Sequence, residues 1–274
     1  MTTTLRPTEP LQRGADGALS RRFQVCVNSR PVGTLHLGTS PSLGARVARI
    51  NDLRVEEPDR RRGRGTVAAL AAEEVARGWG CRQIEVYVPA AAEPALRLAE
   101  ALGYVLRNRG MSKRLGDTPP GLPAGSRGRG MTEAEYEAWL AYETDHYARG
   151  WIGLGVPEAE AYENSRIGHE KLLPRGLATE GMRFSVLEHE GTRVGTLWVA
   201  FREDQAWVYD VETDAAHRGH GHGRTLMLLA ENQVIAVGGH VLGLNVFAGN
   251  TPAERLYASL GYATVTSTLY KDLI

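Results

Sequence analysis

Apolar and polar residues alternate in two stretches of the chain, and a turn signal interrupts each stretch. FQVCVNSRPVGTLHL begins at Phe23, and FSVLEHEGTRVGTLWVAF begins at Phe184. Alternation with period two around such a break predicts a β-hairpin. After each hairpin the pattern predicts the same series: a strand, a glycine-rich loop, a helix, a strand, a helix and a last strand. The fold class indicated is α/β, with two lobes that each contain a mixed twisted sheet flanked by helices.

The helix after each glycine-rich loop shows an apolar stripe. In the second lobe the stripe contains residues spaced by three and four positions, namely Leu226, Leu229, Ala230, Gln233, Val234 and Val237. In the first lobe it contains Val67, Leu70, Ala71 and Val75. This spacing predicts that each stripe packs against a sheet.

The two lobes are related by an internal repeat. Residues 60–65 (RRRGRG) and 218–223 (RGHGHG) share the pattern R-x-x-G-x-G at an offset of 158 residues (218 − 60). At the same offset, PALRLAEALGY from Pro94 matches PAERLYASLGY from Pro252, and Asp52 matches Asp210. Several landmarks in one order indicate a duplication.

Composition marks the boundaries of the lobes. Residues 1–20 lack periodicity and are expected to be a flexible lead-in. The Pro- and Gly-rich residues 116–130 are expected to be a linker between a first lobe, 21–115, and a second lobe, 131–274. Residues 131–173 contain two helical patterns that the first lobe lacks, and Thr132 and Glu135 are spaced as a capping box.

Charge and cysteine content restrict the function classes. The chain has 274 residues, with 32 basic and 32 acidic side chains, so no global field favours nucleic acid or an acidic membrane. Its two cysteines, Cys26 and Cys81, form no metal or redox motif. With no apolar stretch of membrane-spanning length, we expect a soluble cytoplasmic protein, and the Ala-, Arg- and Gly-rich composition suggests a bacterial one.

The glycine-rich loop between a strand and a helix suits a phosphate ligand. Its glycines allow successive backbone N–H groups to converge at the helix N-terminus, where the dipole favours an anion. A tight structural turn is the alternative for the motif alone. With its flanks, VYDVETDAAHRGHGHGRTLMLLAE and LNVFAGNTPAERLYASLGY, the second lobe resembles the GCN5-related N-acetyltransferase (GNAT) family. The first lobe resembles it more loosely, so the chain is similar to tandem GNAT proteins, and its two-lobed organisation is similar to that of mycothiol synthase.

The resemblance implies an acetyl-CoA cofactor and a site in the second lobe. The strand at 207–213 would splay from its neighbour, and Val211 and Thr213 would offer backbone groups to the pantetheine arm. Asn250 would lie near the sheet opening, or cap the following helix. The loop expected to hold the pyrophosphate comprises Arg218, Gly219, His220, Gly221, His222, Gly223 and Arg224.

Three side chains are candidates for catalysis. Tyr257 would donate a proton to the departing thiolate, with a core-packing tyrosine as the alternative. Asp210 or Glu212 would deprotonate the amine through water, or serve as a structural acceptor. We expect these two carboxylates on opposite faces of the strand, so that at most one faces the acetyl group. The backbone N–H of Val211 would meet the oxyanion.

The first lobe carries a possible second coenzyme site. Its candidate residues are Val55, Arg60, Arg61, Arg62, Gly63, Arg64 and Gly65, and the alternative is a solvated arginine run. At the constant offset Ala99 replaces Tyr257 and Ala92 replaces Asn250, so the proposed acid is absent. The first lobe is therefore expected to be a scaffold or a cofactor-binding pseudoenzyme.

The sequence does not identify the molecule that accepts the acetyl group. We expect an N-acetyltransferase acting on a primary amine of a small molecule or peptide, with no nucleic-acid or membrane partner, as a monomer or homodimer. The alternative is a non-catalytic acyl-CoA sensor or interaction protein. Glu143, Asp145 and Glu180 would suit a cationic amine. We expect no metal, because His217, His220 and His222 have no carboxylate or cysteine partner at a recognised spacing.

Overall fold

The computed structural model describes residues 2–15, 17–40, 43–153 and 156–273. The chain forms two compact units that do not coincide with the two sequence copies. The first unit contains residues 1–111, 246–251 and 264–274. The second unit contains residues 112–245 and 252–263. Each unit is described separately below.

The first unit is a mixed sheet with helices. Its elements are β1 (Thr3–Pro7), β2 (Gln12–Arg13), β3 (Leu19–Val27), β4 (Arg30–Ser40), β5 (Gly44–Val55), α1 (Arg64–Gly78), β6 (Gln83–Pro89), α2 (Glu93–Ala101), β7 (Val105–Arg114) and β13 (Ala263–Asp272). The strand order is β1-β3-β4-β5-β6-β13, and β5 and β6 form its parallel pair. Leu35, Leu37, Ile84 and Leu269 are fully buried in its core.

The second unit repeats this plan and adds two helices. Its elements are β8 (Ser126–Gly130), α3 (Glu133–Gly153), α4 (Glu158–Leu172), β9 (Met182–His189), β10 (Thr192–Ala200), β11 (Ala206–Thr213), α5 (His222–Ile235), β12 (Val241–Phe247) and α6 (Thr251–Ser259). The strand order is β12-β11-β10-β9-β8, with β11 and β12 parallel. The capping box at the start of α3 forms as predicted, because the Glu135 amide donates to Thr132 Oγ1 and the Thr132 amide donates to Glu135 Oε2. None of the helices in the described ranges combines the length and apolar character that a membrane crossing needs.

The last strand of each sequence copy contributes to the unit built mainly from the other copy. β13 follows α6 of the second copy, yet it pairs antiparallel with β6 in the first unit. The end of β7 follows α2 of the first copy, yet residues 112–114 belong to the second unit, and the adjacent Leu115 amide donates to the His240 carbonyl there. The second copy therefore contributes its last strand to the first unit, and the first copy contributes the end of β7 to the second unit.

A buried ion pair secures each exchanged segment. In the first unit the Lys271 ammonium lies 2.8 Å from the Glu73 carboxylate, whose side chain is 2% exposed. In the second unit the Lys113 ammonium lies 2.7 Å from the Glu231 carboxylate, whose side chain is 4% exposed. A buried carboxylate needs such a partner, because an unpaired charge in the interior is costly. The two pairs occupy equivalent positions at the 158-residue offset.

Two boundary expectations differ from the structure. Residues 1–20 contain β1, which pairs antiparallel with β3, although the sequence indicated a flexible lead-in. The expected linker 116–130 contains β8, which pairs with β9. Both strands are short edge strands, and their residues alternate little between apolar and polar. The alternation pattern therefore could not predict them.

The predicted helix stripes are correct only in part. In α5, Leu226, Leu229, Ala230 and Val234 are buried as expected, whereas Val237 lies beyond the helix and is exposed. In α1 the buried apolar residues are Ala68, Ala69, Ala72 and Ala76, whereas Val67 and Leu70 are exposed. The buried side chains of α1 are small, and small side chains allow a helix to pack closely on its sheet. Hydrophobicity alone therefore did not predict which residues of α1 are buried.

Replacing Lys113 or Lys271 with methionine should destabilise the protein. Each change leaves a buried glutamate without its cation, so we expect a loss of about 3 kcal/mol of unfolding free energy in each variant. Urea denaturation followed by circular dichroism measures the change. Arg97→Ala is the control, because it removes an exposed ion pair with Glu93 worth under about 1 kcal/mol. Equal stability of all three variants would contradict a stabilising role for the buried pairs.

Candidate active site

The sheet of the second unit opens along β11. β11 and β12 pair only through residues 206–208 of β11 and 242–244 of β12. On its other side β11 continues to pair with β10 as far as Thr213, with a bulge that leaves Tyr209 without a directly opposed partner. The end of β11 therefore presents backbone groups that no parallel neighbour satisfies, as predicted for a splayed strand.

The glycine-rich loop follows directly and begins α5. Gly219 and Gly221 have φ values of 82° and 85°, a left-handed conformation that glycine adopts without steric cost. Gly221 is the N-cap of α5, and no heavy atom lies within 4 Å of a Cβ built on either glycine. The loop therefore places helix N-terminal amides beside open space. This is the arrangement that accommodates a pyrophosphate.

The remaining loop residues hold the loop in place. Arg218 Nε donates to the Thr213 carbonyl at 3.2 Å, and its Nη2 lies 3.1 Å from Glu212 Oε1. Gly223 lies against α6, where an added Cβ would be 3.3 Å from Leu256. Arg224 donates to the Ser259 hydroxyl at the end of α6. In this structure the arginine side chains tie the loop to β11 and α6, so the open face of the loop is formed by backbone.

Asp210 and Glu212 lie on the same face of β11. Trp139 Nε1 on α3 donates to Asp210 Oδ2 at 3.1 Å, and the Tyr142 hydroxyl on the same helix lies 3.4 Å from Glu212 Oε1. The expectation of opposite faces was wrong, because residues two apart in a strand point the same way. Both carboxylates therefore face α3.

A third carboxylate, Glu143, joins this pair. It is one residue from Tyr142 and four from Trp139, so it lies on the helix face that covers β11. Burial, followed by the repulsion of Asp210 and Glu212, raises the pKa of Glu143. Burial also raises the pKa of Asp210, and the hydrogen bond from Trp139 opposes that shift. The three side chains form a carboxylate cluster, in which Glu143 and Asp210 retain a proton more readily than ordinary carboxyl groups do.

The amide of Val211 lies close to the Asp210 carboxylate and acts to lower the pKa of that group, against the larger effect of burial. The same N–H is expected to meet the thioester oxyanion, and that role stays a prediction.

Tyr257 on α6 lies beside the cluster. Its side chain is buried, and the described residues provide no hydrogen-bond partner for its hydroxyl. Burial and the negative charge of Asp210 raise the pKa of Tyr257 to about 12. A phenol in this environment keeps its proton throughout the neutral range. Asn250, the other expected residue of this region, lies immediately before α6 and belongs to the first unit.

The first unit preserves the loop geometry but not the acidic chemistry. Gly63 is the N-cap of α1 with φ 72°, and Arg61 has φ 57° at the position equivalent to Gly219. Arg60 Nε donates to the Val55 carbonyl, which matches the contact of Arg218 with Thr213. Arg54 stands where the second copy has Glu212. The candidate residues Arg62, Arg64 and Gly65 complete this loop, in which Arg64 is buried and donates to Thr3 Oγ1.

Histidines surround the other side of the second loop. His217, His220 and His222 gather with His189 of β9, and the ring centroids of His189 and His222 lie 5.1 Å apart. Within the described ranges, no three His, Cys, Asp or Glu side chains are arranged to hold a metal ion.

Comparison with known proteins identifies the family. The model of the acetyltransferase (GNAT) family matches residues 3–104 and again residues 145–262. This chain belongs to the GNAT family. It is an N-acetyltransferase, and acetyl-CoA is the cofactor of the family. The double match agrees with the duplication found in the sequence.

Several relatives show how far the similarity extends. The uncharacterized N-acetyltransferase YdgE of Bacillus subtilis is 30% identical over 149 residues, which cover 52% of this chain and 95% of the relative. A mycothiol acetyltransferase of Thermomonospora curvata is 30% identical over 248 residues, covering 84% of this chain and 74% of the relative. A tandem GNAT protein from the clavulanic acid biosynthesis pathway has the same fold, with a TM-score of 0.51, 21% identity and coverage of 96% of this chain and 85% of that one.

The sequence predicted the loop and Tyr257 as parts of the candidate site but gave no prediction for the part on α3. Glu143 was noted only as a possible contact for a cationic acceptor, and Trp139 and Tyr142 were not singled out. Their spacing of three and four residues places them on one helix face, which is a signal the sequence contains. What it could not show was that this face covers β11.

Replacing Gly221 with valine should weaken acetyl-CoA binding at least tenfold. Valine disfavours a φ near 85°, and its side chain would enter the open space beside the loop amides. Isothermal titration calorimetry measures the affinity. The matched control is Gly238→Val, which has a similar φ of 78° and open surroundings after the end of α5. Equal losses of affinity in the two variants would assign the effect to general strain.

Proposed function

We propose that the second unit transfers the acetyl group of acetyl-CoA to a primary amine of a small molecule or peptide. The observation that carries this proposal is the carboxylate cluster of Glu143, Asp210 and Glu212 beside Tyr257, at the point where β11 separates from β12. An acyl transfer to an amine needs a proton acceptor and a proton donor on opposite sides of the reacting carbonyl. The site contains both within one unit.

The carboxylate cluster favours an acceptor that carries a positive charge. Three carboxylates face the same space, and the only basic side chain that pairs with them among the described contacts is Arg218, which binds Glu212. Trp139 and Tyr142 add aromatic surface, which attracts an ammonium group through its π-electrons. A protonated primary amine would lower the repulsion within the cluster as it binds. The acceptor would thus arrive in the form that predominates in solution.

The carboxylates would then remove the proton that blocks nucleophilic attack. Burial, followed by repulsion from Asp210 and Glu212, raises the pKa of Glu143 and makes it a better base than an ordinary glutamate. Asp210 is held by Trp139 at 3.1 Å and thereby keeps a fixed orientation. Because the groups interact strongly, the proton belongs to the pair of Glu143 and Asp210 and not to either residue alone.

Tyr257 would supply the proton for the leaving group. When bound, acetyl-CoA provides an activated thioester whose departing sulfur needs a proton. The Tyr257 hydroxyl has no competing partner among the described residues and stays protonated at neutral pH. Desolvation around the phenol also strengthens any hydrogen bond it makes.

The first unit is proposed to be a scaffold that has kept a coenzyme-like loop. It has Ala99 in place of Tyr257 and Arg54 in place of Glu212, so it lacks the donor and one of the carboxylates. α3, which carries Glu143, has no counterpart among its elements. These differences support the proposal that the chemistry takes place in the second unit.

Tyr257→Phe is expected to lower kcat about a hundredfold or more while leaving acetyl-CoA affinity nearly unchanged. Phenylalanine preserves the packing and removes only the hydroxyl. Release of the coenzyme thiol, followed with a thiol reagent and a panel of primary amines, measures turnover. Tyr87→Phe removes an exposed hydroxyl from the first unit and serves as the control. Retained kcat in Tyr257→Phe would refute the donor role, and binding without turnover in the wild-type protein would favour an acyl-CoA sensor.

The pH dependence of kcat/KM should follow the ionisation of the carboxylate cluster. The base acts only when deprotonated, so raised carboxyl pKa values predict that kcat/KM falls with decreasing pH well above the ordinary carboxyl range of about 4. Glu143→Gln removes the carboxyl group that keeps its proton to the higher pH, so Asp210 then sets the acidic limb, which should move to lower pH. Glu137→Gln changes an exposed carboxylate on the same helix and should leave the profile in place. An unchanged acidic limb in Glu143→Gln would exclude this coupling.

A further inference from the structure

Acetyl transfer to an ammonium group leaves a surplus proton in the carboxylate cluster of Glu143, Asp210 and Glu212. The nitrogen of a primary ammonium group loses two protons when it becomes an amide. One of them balances the proton that Tyr257 gives to the departing thiolate, and the other has to leave the protein in every turnover. This requirement rests on the proposed function.

The carboxylates of the cluster are poorly placed to give this proton directly to water. Glu143 and Asp210 are half-buried, and burial is the main reason that their pKa values are raised. A group with a raised pKa holds its proton more tightly, and water is a weak base that removes such a proton slowly. A stronger base at the protein surface would therefore accelerate the release.

The fold places His146 of α3 next to the cluster. It follows Trp139, Tyr142 and Glu143 by seven, four and three residues, so the four side chains lie on one face of the helix. The rings of His146 and Tyr142 are stacked, with centroids 5.9 Å apart and an angle of 16° between their planes. The hydroxyl of the same tyrosine lies 3.4 Å from Glu212 Oε1. His146 is exposed, so its ring lies between the cluster and solvent.

The charge of His146 acts on Asp210 across this face. Burial raises the pKa of Asp210, whereas the hydrogen bond from Trp139 and the positive charge of His146 act to lower it. A Coulombic effect weakens with distance, so its presence agrees with the placement of His146 beside the cluster. An exposed imidazole in this position can accept a proton from the cluster and release it to solvent, because imidazole ordinarily titrates near neutral pH.

The other charged groups on this side of the cluster are paired. On α3, the Asp145 carboxylate lies 2.8 Å from the Arg149 guanidinium and accepts a hydrogen bond of 2.6 Å from the Tyr162 hydroxyl of α4. On the loop before α5, Arg218 lies 3.1 Å from Glu212. A carboxylate held by a cation is a weaker base than an ordinary carboxylate. These pairs therefore do not replace an imidazole as the group that takes up the proton.

We propose that His146 is the proton exit of the carboxylate cluster, which carries the surplus proton from the pair of Glu143 and Asp210 to solvent. The amine nitrogen first gives the proton to this pair, where one carboxylate becomes a carboxylic acid. The imidazole then takes up that proton, which restores the carboxylate and forms imidazolium. Loss of a proton to water or buffer restores the neutral imidazole. His146 is thus a positioning residue that acts through the cluster and not on the reacting carbonyl.

His146→Ala should lower kcat about tenfold in dilute buffer, and added imidazole should restore it. The variant leaves space in which a free imidazole can carry the proton, so kcat should rise with imidazole concentration towards the wild-type value while KM for the amine changes little. Release of the coenzyme thiol with a panel of primary amines measures these rates. The control is His240→Ala, which removes an exposed histidine elsewhere in the second unit and should respond to neither change. Full kcat of His146→Ala in dilute buffer, or no recovery with imidazole, would overturn the proposal.

A second measurement does not require turnover. Trp139 donates its indole N–H to Asp210 Oδ2, so the NMR signal of that N–H, assigned with Trp139→Phe, follows the ionisation of Asp210 and its coupled partner Glu143. His146→Gln removes a positive charge that lowers the pKa of Asp210, so the midpoint of this titration should move to higher pH. His240→Gln should leave the midpoint in place. An unchanged midpoint in His146→Gln would show that His146 does not act on the cluster and would refute the proton exit.

The same assays distinguish failure of the proton exit from failure of the proposed function. An active wild-type enzyme whose His146→Ala variant does not respond to imidazole refutes the proton exit and leaves the proposed function intact. A wild-type protein that releases no thiol with any amine refutes the proposed function, and the proton exit with it, whatever the Trp139 signal shows. Recovery of kcat with imidazole together with the shifted Trp139 titration supports both.

Discussion

The separation of β11 from β12 after three paired residues is the constraint on which the candidate site depends. A parallel pair that continued along β11 would consume the backbone groups near Asp210 and leave no cleft for a thioester. The bulge at Tyr209 marks where the strand changes course, and α3 covers the face of β11 that carries the carboxylates. The glycine loop then directs the chain into α5. The backbone geometry thus forms the cleft, and a few side chains are the candidates for the chemistry within it.

Comparison of the two copies separates the features of this arrangement that both copies share from the features that are proposed to serve the reaction. In the first unit β5 and β6 also pair over four residues only, and the loop at Gly63 keeps the left-handed conformation of its counterpart. The first copy even accepts Arg61 at positive φ, where the second has Gly219. Loop geometry has therefore survived without Tyr257 or Glu143. We infer that the opening and the loop are properties of the fold, whereas Tyr257 and the carboxylate cluster are specific additions of the second copy.

The sequence predicted the features that are local along the chain. The hairpins and the R-x-x-G-x-G loop each span a few residues, so their signals are complete within one window. The carboxylate cluster combines α3 with β11, about 70 residues apart, and the sequence held no direct signal for that contact. The sequence also could not show that β13 joins the sheet of the first unit, because both copies supply a strand with the same pattern of residues. Alternation shows that a strand exists and which face is buried, but it does not select between two equivalent sheets.

The placement of these terminal segments explains why the second unit depends on a copy that lacks a counterpart of Tyr257. Glu231 is buried on α5 of the second unit, and its cation, Lys113, lies near the end of β7, the last strand of the first copy. Tyr262 also donates to Glu231, so loss of Lys113 would leave a buried charge with a single neutral donor. Such a charge costs several kcal/mol, a large part of the stability of an ordinary domain. The second copy therefore cannot be cut from the chain at the linker without losing part of its own core. The first copy thus contributes to the core of the second unit, which agrees with the scaffold role proposed for it.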